Sequence, residues 1–438
     1  HSPLDAISAG VGMVFQAFQL FPSLTIAENV IFREEPTRRG LIDRRAARAK
    51  VKAIADQYGL AVDPDARVDS VPVGVLQRVE IIKALFRDAK ILILDEPTAV
   101  LTPQETDRLF AVLRALRDDG RTIILITHKM KEVMAVSDRV TVLRDGRVVA
   151  RLVTADSSPA EITRHMTGRD VDLTQTKPSG EPGSPVLEVS GLTVAGHGDR
   201  HFVDDVSFQV RAGEIVGIAG VAGNGQAELA EAIVGMRPAV AGHLRVAGQD
   251  VTALGVRQRR EAGVTYIPED RHGVGTAPAA DAAANLSMGH HRGAPLLRRQ
   301  LLPRARRVDH AARLIDRFRI KIASPATAVG TLSGGNLQKI VVARELDYDA
   351  PLLIAEQPTR GVDIGAIESI HREITAYRDR GRAVLLISAE LSEIMSLSGR
   401  ILVMFEGRIV AELDAATATE ADLGLLMAGG SLTGGGAR

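Results

Sequence analysis

The feature that most constrains this chain is an internal repeat held in one register. LILDEPTAVLTPQE at 92–105 returns, altered, as LIAEQPTRGVDIGA at 353–366, and RVTVLRDGRVVA at 139–150 returns as RILVMFEGRIVA at 400–411. VGVLQRVEIIKAL at 73–85 likewise matches GGNLQKIVVAREL at 334–346. Gly74 and Gly335, Pro97 and Pro358, and Gly146 and Gly407 all stand 261 positions apart. Such register over this length marks a duplication, and a duplicated unit must fold twice. Upstream the offset changes: VGMVFQ at 11–16 pairs with AGVTYIPE at 262–269 at a spacing of 253. The stretch from about 187 to 260 has no counterpart in the first copy. The first copy is therefore expected to lack roughly 65 to 70 residues from its front, and the start at His1 rather than Met fits a fragment.

The 438 residues suit two or three domains. The boundaries expected are a first domain over 1–168, a linker over 169–185 and a second domain over 186–426. The linker contains LTQTKPSGEPGSP, and the Gly-rich end, 427–438, is expected to be a mobile tail. Lys plus Arg equals Asp plus Glu, 54 against 54, so no basic excess points to nucleic acid. Without Cys there is no disulfide, thiol nucleophile or Cys-bound zinc. The apolar runs KILILD at 90–95, TIILIT at 122–127, EIVGIAG at 214–220 and AVLLIS at 383–388 are far shorter than the about 20 residues of a membrane span. They read as parallel strands buried on both faces.

Four segments carry chemistry. GIAGVAGNGQAELAEAIVG at 217–235 has the spacing of a phosphate-binding loop, with Gly220, Gly223, Asn224 and Gly225 ahead of a helix pattern. Its two decisive side chains differ: Gln226 stands where a Lys meets phosphate, and Ala227 where a hydroxyl meets Mg²⁺. A unit charge at about 4 Å is worth up to ~4 kcal/mol near a protein surface, and Gln does not supply it. ILILDEPT at 91–98 ends a strand in two acids, Asp95 to hold Mg²⁺ and Glu96 to orient water. ITHKM at 126–130 brings His128 to the same edge, within reach of a terminal phosphate. LSGGNLQK at 332–339 begins a helix with Ser333, Gly334, Gly335 and Asn336, small residues suited to an anion.

Together, in this order and twice over, these segments resemble the ATP-binding cassette family. More narrowly they resemble the fused double-cassette ATPase of bacterial importers for simple sugars and nucleosides. The resemblance implies an α/β fold of two tandem P-loop NTPase cassettes, with parallel core sheets flanked by helices and helical arms near 26–70 and 280–325. RRAARAKVKAIADQYGL at 44–60 has the pattern of an exposed amphipathic helix for such an arm. The resemblance makes Gln16 the glutamine that senses nucleotide and metal, with Glu269 in its place in the second copy. It pairs Gln16, Asp95, Glu96 and His128 with Ser333, Gly334, Gly335 and Gln338 in one composite site. The other site is degenerate: Gln226, Ala227, Glu356-Gln357 for Asp-Glu, Ala389 for His and Pro72 for Ser. IAEQPTRGVDIGA is closer to the nucleoside and purine importers than to the ribose or galactose ones.

The implied cofactors are ATP and Mg²⁺. The implied partners are integral-membrane permease subunits and, indirectly, an extracytoplasmic solute-binding protein, with no nucleic acid, at the cytoplasmic face of the membrane. Two other readings stay open. One is a catalytically inert fragment of such an ATPase. The other is a soluble double-cassette translation-type ATPase, against which the short, neutral linker stands.

Overall fold

The computed structural model describes residues 2–16, 18–98, 101, 103–144, 146–170, 182–196, 198, 200–221, 223–290 and 302–431. The expected linker lies largely, and the expected tail mostly, outside the described residues, as does the middle of the second arm. The chain divides into two compact units, His1–Asp170 and Val171–Arg438.

In the first unit, three parallel strands run in the order Val11–Val14, Ile91–Asp95, Thr122–Ile126. Helices Val73–Phe86 and Pro103–Asp118 bury Ile81, Ile82, Leu113 and Leu116 against Leu92 and Leu94. The arm begins with helix Ile26–Ile31, whose Thr25 and Glu28 form a reciprocal capping box. It continues through the hairpin Thr37–Arg38/Leu41–Ile42 into helix Arg44–Tyr58, which buries Ala47, Val51, Ala55 and Tyr58 along one stripe. A separate antiparallel pair, Arg139–Arg144 with Arg147–Val153, packs on helix Pro159–Thr167.

The second unit joins the equivalent strands into one sheet of six. Its order is Val264–Ile267, Leu352–Glu356, Ala383–Ile387, Ile215–Ala219, Arg400–Phe405, Arg408–Asp414, parallel except for the last. A four-stranded antiparallel sheet, in which Pro185–Ala195 pairs with His201–Arg211 and Ala241–Val246, precedes and covers it. Here Ile215–Ala219 lies between Ala383–Ile387 and Arg400–Phe405, and all fifteen residues of Ile215–Ala219, Leu352–Glu356 and Ala383–Ile387 are buried.

That arrangement corrects one expectation. The central strands are buried on both faces only in the second unit. Among the described residues no strand separates Thr122–Ile126 from the pair at 139–153, so Thr122–Ile126 forms a sheet edge. Its alternate residues are exposed, with Ile124 and Ile126 each at 47%.

Candidate functional site

Parallel strands bring their carboxyl ends to one edge, and the first unit uses that edge. Gln16 follows Val11–Val14, Glu96 follows Ile91–Asp95, and His128 follows Thr122–Ile126. The Glu96 carboxylate accepts from Gln16 Nε2 at 2.7 Å through one oxygen, and its other oxygen lies 2.9 Å from His128 Nδ1. The His128 contact, opposed by burial, holds the Glu96 carboxyl below the usual carboxylate range. A carboxylate so held is a weak base and a good anchor for water. Asp95, half-buried, ends the central strand one residue before it.

The turn itself is unusual. Glu96 sits at φ +44, in the left-handed region, where a residue with a Cβ carries about 1 kcal/mol of strain. Its N–H donates to the carbonyl of Ile126 at 2.9 Å, pinning the turn to the neighbouring strand. Below it, buried Glu132 accepts from the hydroxyl of Thr98 and, at 2.9 Å, from that of Thr127. This brace was not singled out from the sequence. Its signal was present: Thr98 and Glu132 recur as Thr359 and Glu393 at the repeat spacing of 261. In the second unit Glu393 accepts from Thr359 at 2.8 Å and contacts His371 at 2.9 Å.

The second unit keeps the turn and changes its occupants. Gln357 is at φ +45, and its side-chain oxygen accepts from the backbone N–H of Ala389 at 3.1 Å. Glu356 is buried and accepts from the Tyr266 hydroxyl at 2.5 Å. Burial, with help from Glu231 and Glu228 and against the Tyr266 hydrogen bond, raises its carboxyl to about 7. Glu269 is ion-paired with Arg360.

The phosphate loop joins strand Ile215–Ala219 to helix Gln226–Val234. Gly225 precedes the helix at φ +98, and a Cβ there would run into the carbonyl oxygen of Phe202, so only glycine fits. Asn224 faces away from the cradle: its side chain accepts from the N–H of Glu406, and its carbonyl from Gly407. Gln226, expected to contact ligand, is 8% exposed and donates to the loop's own carbonyl at Val221, 3.1 Å away. It also packs on Gly220, where a Cβ would collide with its amide. In this structure the uncharged side chain is thus held by its own loop.

Ser333 precedes helix Gly334–Asp347 without capping it, accepting instead from Asn336 Nδ2 at 2.9 Å. Gly334, Gly335 and Asn336 form the first turn. Gln338, one turn further on, is 2% exposed. In the first unit Pro72 stands before the equivalent helix, Val73–Phe86, and offers no hydroxyl.

The two edges fit nucleotide and Mg²⁺ unequally. Asp95, Glu96 and the amide oxygen of Gln16 are the hard oxygen donors that Mg²⁺ takes. The second unit offers a glycine cradle of backbone N–H groups around Gly220, Gly223 and Gly225, with neither a lysine nor a hydroxyl beside it.

A family profile described as ABC transporter matches residues 2–99 and 203–360. The chain is 44% identical over 429 residues to the guanosine import ATP-binding protein NupO of Bacillus subtilis, covering 98% of this chain and 84% of that protein. It is 41% identical to the nucleoside import ATP-binding protein NupA of Lactococcus lactis subsp. cremoris, over 98% and 85% of the two chains. It is also 41% identical to a ribose import ATP-binding protein, RbsA 1, of Streptomyces avermitilis, over 96% and 79%. Among solved structures, a complex of the archaeal ribosome recycling factor aABCE1 with the stalk protein aP1 shares the fold, with a TM-score of 0.63 at 18% identity over 94% of this chain and 76% of that one. With the matched segments falling in both halves of the repeat, this chain belongs to the ABC transporter family of ATP-binding proteins.

Proposed function

We propose that the chain is the ATP-binding subunit that energises uptake of a nucleoside or simple sugar through separate membrane permease subunits. The observation that carries the reading is the grip on Glu96 by Gln16 and His128, at the edge where Asp95 ends its strand. Bound Mg²⁺ supplies charge neutralisation for phosphate oxygens, and phosphoryl transfer needs little covalent help from protein. Asp95 and the Gln16 amide oxygen hold the cation. Glu96, ionised and fixed from both sides, orients the attacking water, and His128 meets the terminal phosphate. Ser333, Gly334, Gly335 and Asn336 present hydroxyl and N–H donors to phosphate. The loop at Gly220, Gly223 and Gly225 holds nucleotide without completing a hydrolytic site.

Among the described residues no helix is long and apolar enough to cross a membrane, and the relatives named above are import ATP-binding proteins. The relatives support a peripheral subunit on the cytoplasmic face that docks on permease chains and is coupled through them to a solute-binding protein. The balanced charge supports a partner set without nucleic acid. The domains proposed are 1–168 and 186–426, joined by 169–185.

The segment IAEQPTRGVDIGA, closer to nucleoside and purine importers than to ribose or galactose ones, favours a nucleoside over a sugar. Deleting the encoding gene and following uptake of labelled guanosine and ribose tests this. Loss of guanosine uptake with ribose uptake retained is expected. Unchanged uptake of both overturns the reading.

A further inference from the structure

Two imidazoles in the second unit lie away from the sheet edge and have no part in the site above. His310, in the middle of helix Arg304–Arg317, is 2% exposed. Its Nδ1 lies 3.2 Å from a guanidinium nitrogen of the exposed Arg313. Its Nε2 has no hydrogen-bond partner among the described residues. On the Nε2 side stands Asp347, the last residue of helix Gly334–Asp347, with a carboxylate oxygen 3.7 Å away. That separation is too long for a hydrogen bond.

His290, just beyond helix Ala282–Ser287, brings the second ring to a centroid distance of 5.5 Å from His310. One donor atom from each of His290, His310 and Asp347 lies within 4.8 Å of the other two. The His290 ring is already oriented: Nε2 is 3.1 Å from the carbonyl oxygen of Arg344, and Tyr348 packs edge-on at 5.1 Å.

The backbone of Leu286 also lies beside the His310 ring, yet Nε2 makes no hydrogen bond of good geometry, and such a buried polar atom is costly to keep. A cation placed among the three would satisfy them together. We propose that His290, His310 and Asp347 form a binding site for a divalent transition-metal ion, Zn²⁺ by preference. Two imidazoles and one carboxylate, with water in the fourth position, make a tetrahedral set that zinc accepts. Nitrogen donors disfavour Mg²⁺ and Ca²⁺, so this is chemistry of a different kind from a nucleotide's cation.

The contact of His290 with the Arg344 carbonyl is the type of outer hydrogen bond that fixes a ligating ring. Coordination through Nε2 of His310 places the ring proton on Nδ1, and the exposed Arg313 then turns out to solvent. Bonds of about 2.0–2.1 Å draw the donors closer together than they stand here. The ion thereby ties the arm to the far end of the helix that Ser333 begins.

The test uses the whole chain, stripped with a chelator and titrated with Co²⁺, which reports tetrahedral geometry by its visible bands, and with Zn²⁺ by calorimetry. One ion per chain is expected, with tetrahedral Co²⁺ absorption. Asp347→Asn, at a partly exposed helix end that tolerates the change, should weaken binding at least tenfold, and His290→Gln likewise. His310→Gln should abolish the absorption. His128→Gln, at the other unit's sheet edge, should bind as the parent does. An absent Co²⁺ spectrum overturns the site. So does binding within twofold of the parent in both Asp347→Asn and His290→Gln, or loss of binding in His128→Gln.

Discussion

Glu96 and Gln357 occupy equivalent turns, at φ +44 and +45, and each turn lies above a buried Thr–Glu brace. Around the first, an amide and an imidazole grip a carboxylate. Around the second, an uncharged amide oxygen accepts from a backbone N–H, and the neighbouring acid is buried under a tyrosine. The geometry of the turn and the chemistry placed on it are thus separable. The brace and the strand pairing maintain the first. Three side chains decide the second.

The strongest way to break this comparison is to exchange its chemistry. In a reconstituted importer that turns over ATP, Glu96→Gln should lower phosphate release by roughly 10²- to 10⁴-fold, the range for a positioned acid–base group. Gln357→Ala should stay within about twofold. Equal losses at the two positions would show that the second edge works too. For the same reason the 438-residue chain, whose one described phosphate loop is that of Gln226, should show negligible steady-state ATPase activity.

Stability should separate the two acids next. Glu356 is raised in the fold from 4.5 to about 7, so between those values the unfolded chain gives up its proton first and is favoured. Stability therefore falls as pH rises from about 4.5 to about 7. The displacement corresponds to about 3 kcal/mol. Glu356→Gln should gain most of that at pH 8 and almost nothing at pH 4, measured by denaturant unfolding. Glu96 has the opposite sign: its depressed carboxyl adds stability above its unfolded pKa, which is lost as pH falls through the folded value.

A smaller effect sharpens the reading of the loop. Gln226→Lys restores one charge beside the glycine cradle and should tighten ATP about tenfold by calorimetry, equivalent to ~1.4 kcal/mol. No turnover should follow, since Gln357 and Ala389 remain. Turnover from this one change would show that the second edge is not disabled in several places. The last and smallest readout is a shift in the pH profile, separate from any loss of rate. His128→Gln removes the first cause of the low Glu96 pKa, so the acid limb of the importer's pH–rate profile should move toward higher pH.

Much of this was legible before any coordinates. ILILD, TIILI, IVGIA and AVLLI became strands because runs of Ile, Leu and Val suit a parallel sheet, and the pattern at 44–60 became helix Arg44–Tyr58. Strand ends were enough to predict that Glu96 and His128 share an edge, and the family resemblance added Gln16. What stayed hidden depends on torsions and on partners distant in sequence. Gln226 looks like a spoiled ligand in sequence, and only its rotamer reveals that it donates to its own loop. Burial of Gln338 depends on which face of its helix packs inward. The acid at 356 accepts from the Tyr266 hydroxyl, ninety positions away, and three separate elements bring together His290, His310 and Asp347.

The exposed strand Thr122–Ile126 has a further consequence. Paired with Ile91–Asp95 on one side only, the strand offers the N–H and C=O groups of its other side to an extended segment, which would also cover Ile124 and Ile126. Sheet proteins usually guard such borders with lysine, proline or a bulge, and Thr-Ile-Ile-Leu-Ile contains neither of those residues. In the second unit Ile215–Ala219 occupies the same place, between Ala383–Ile387 and Arg400–Phe405, so this border has the register and the apolar face to take a strand of that kind.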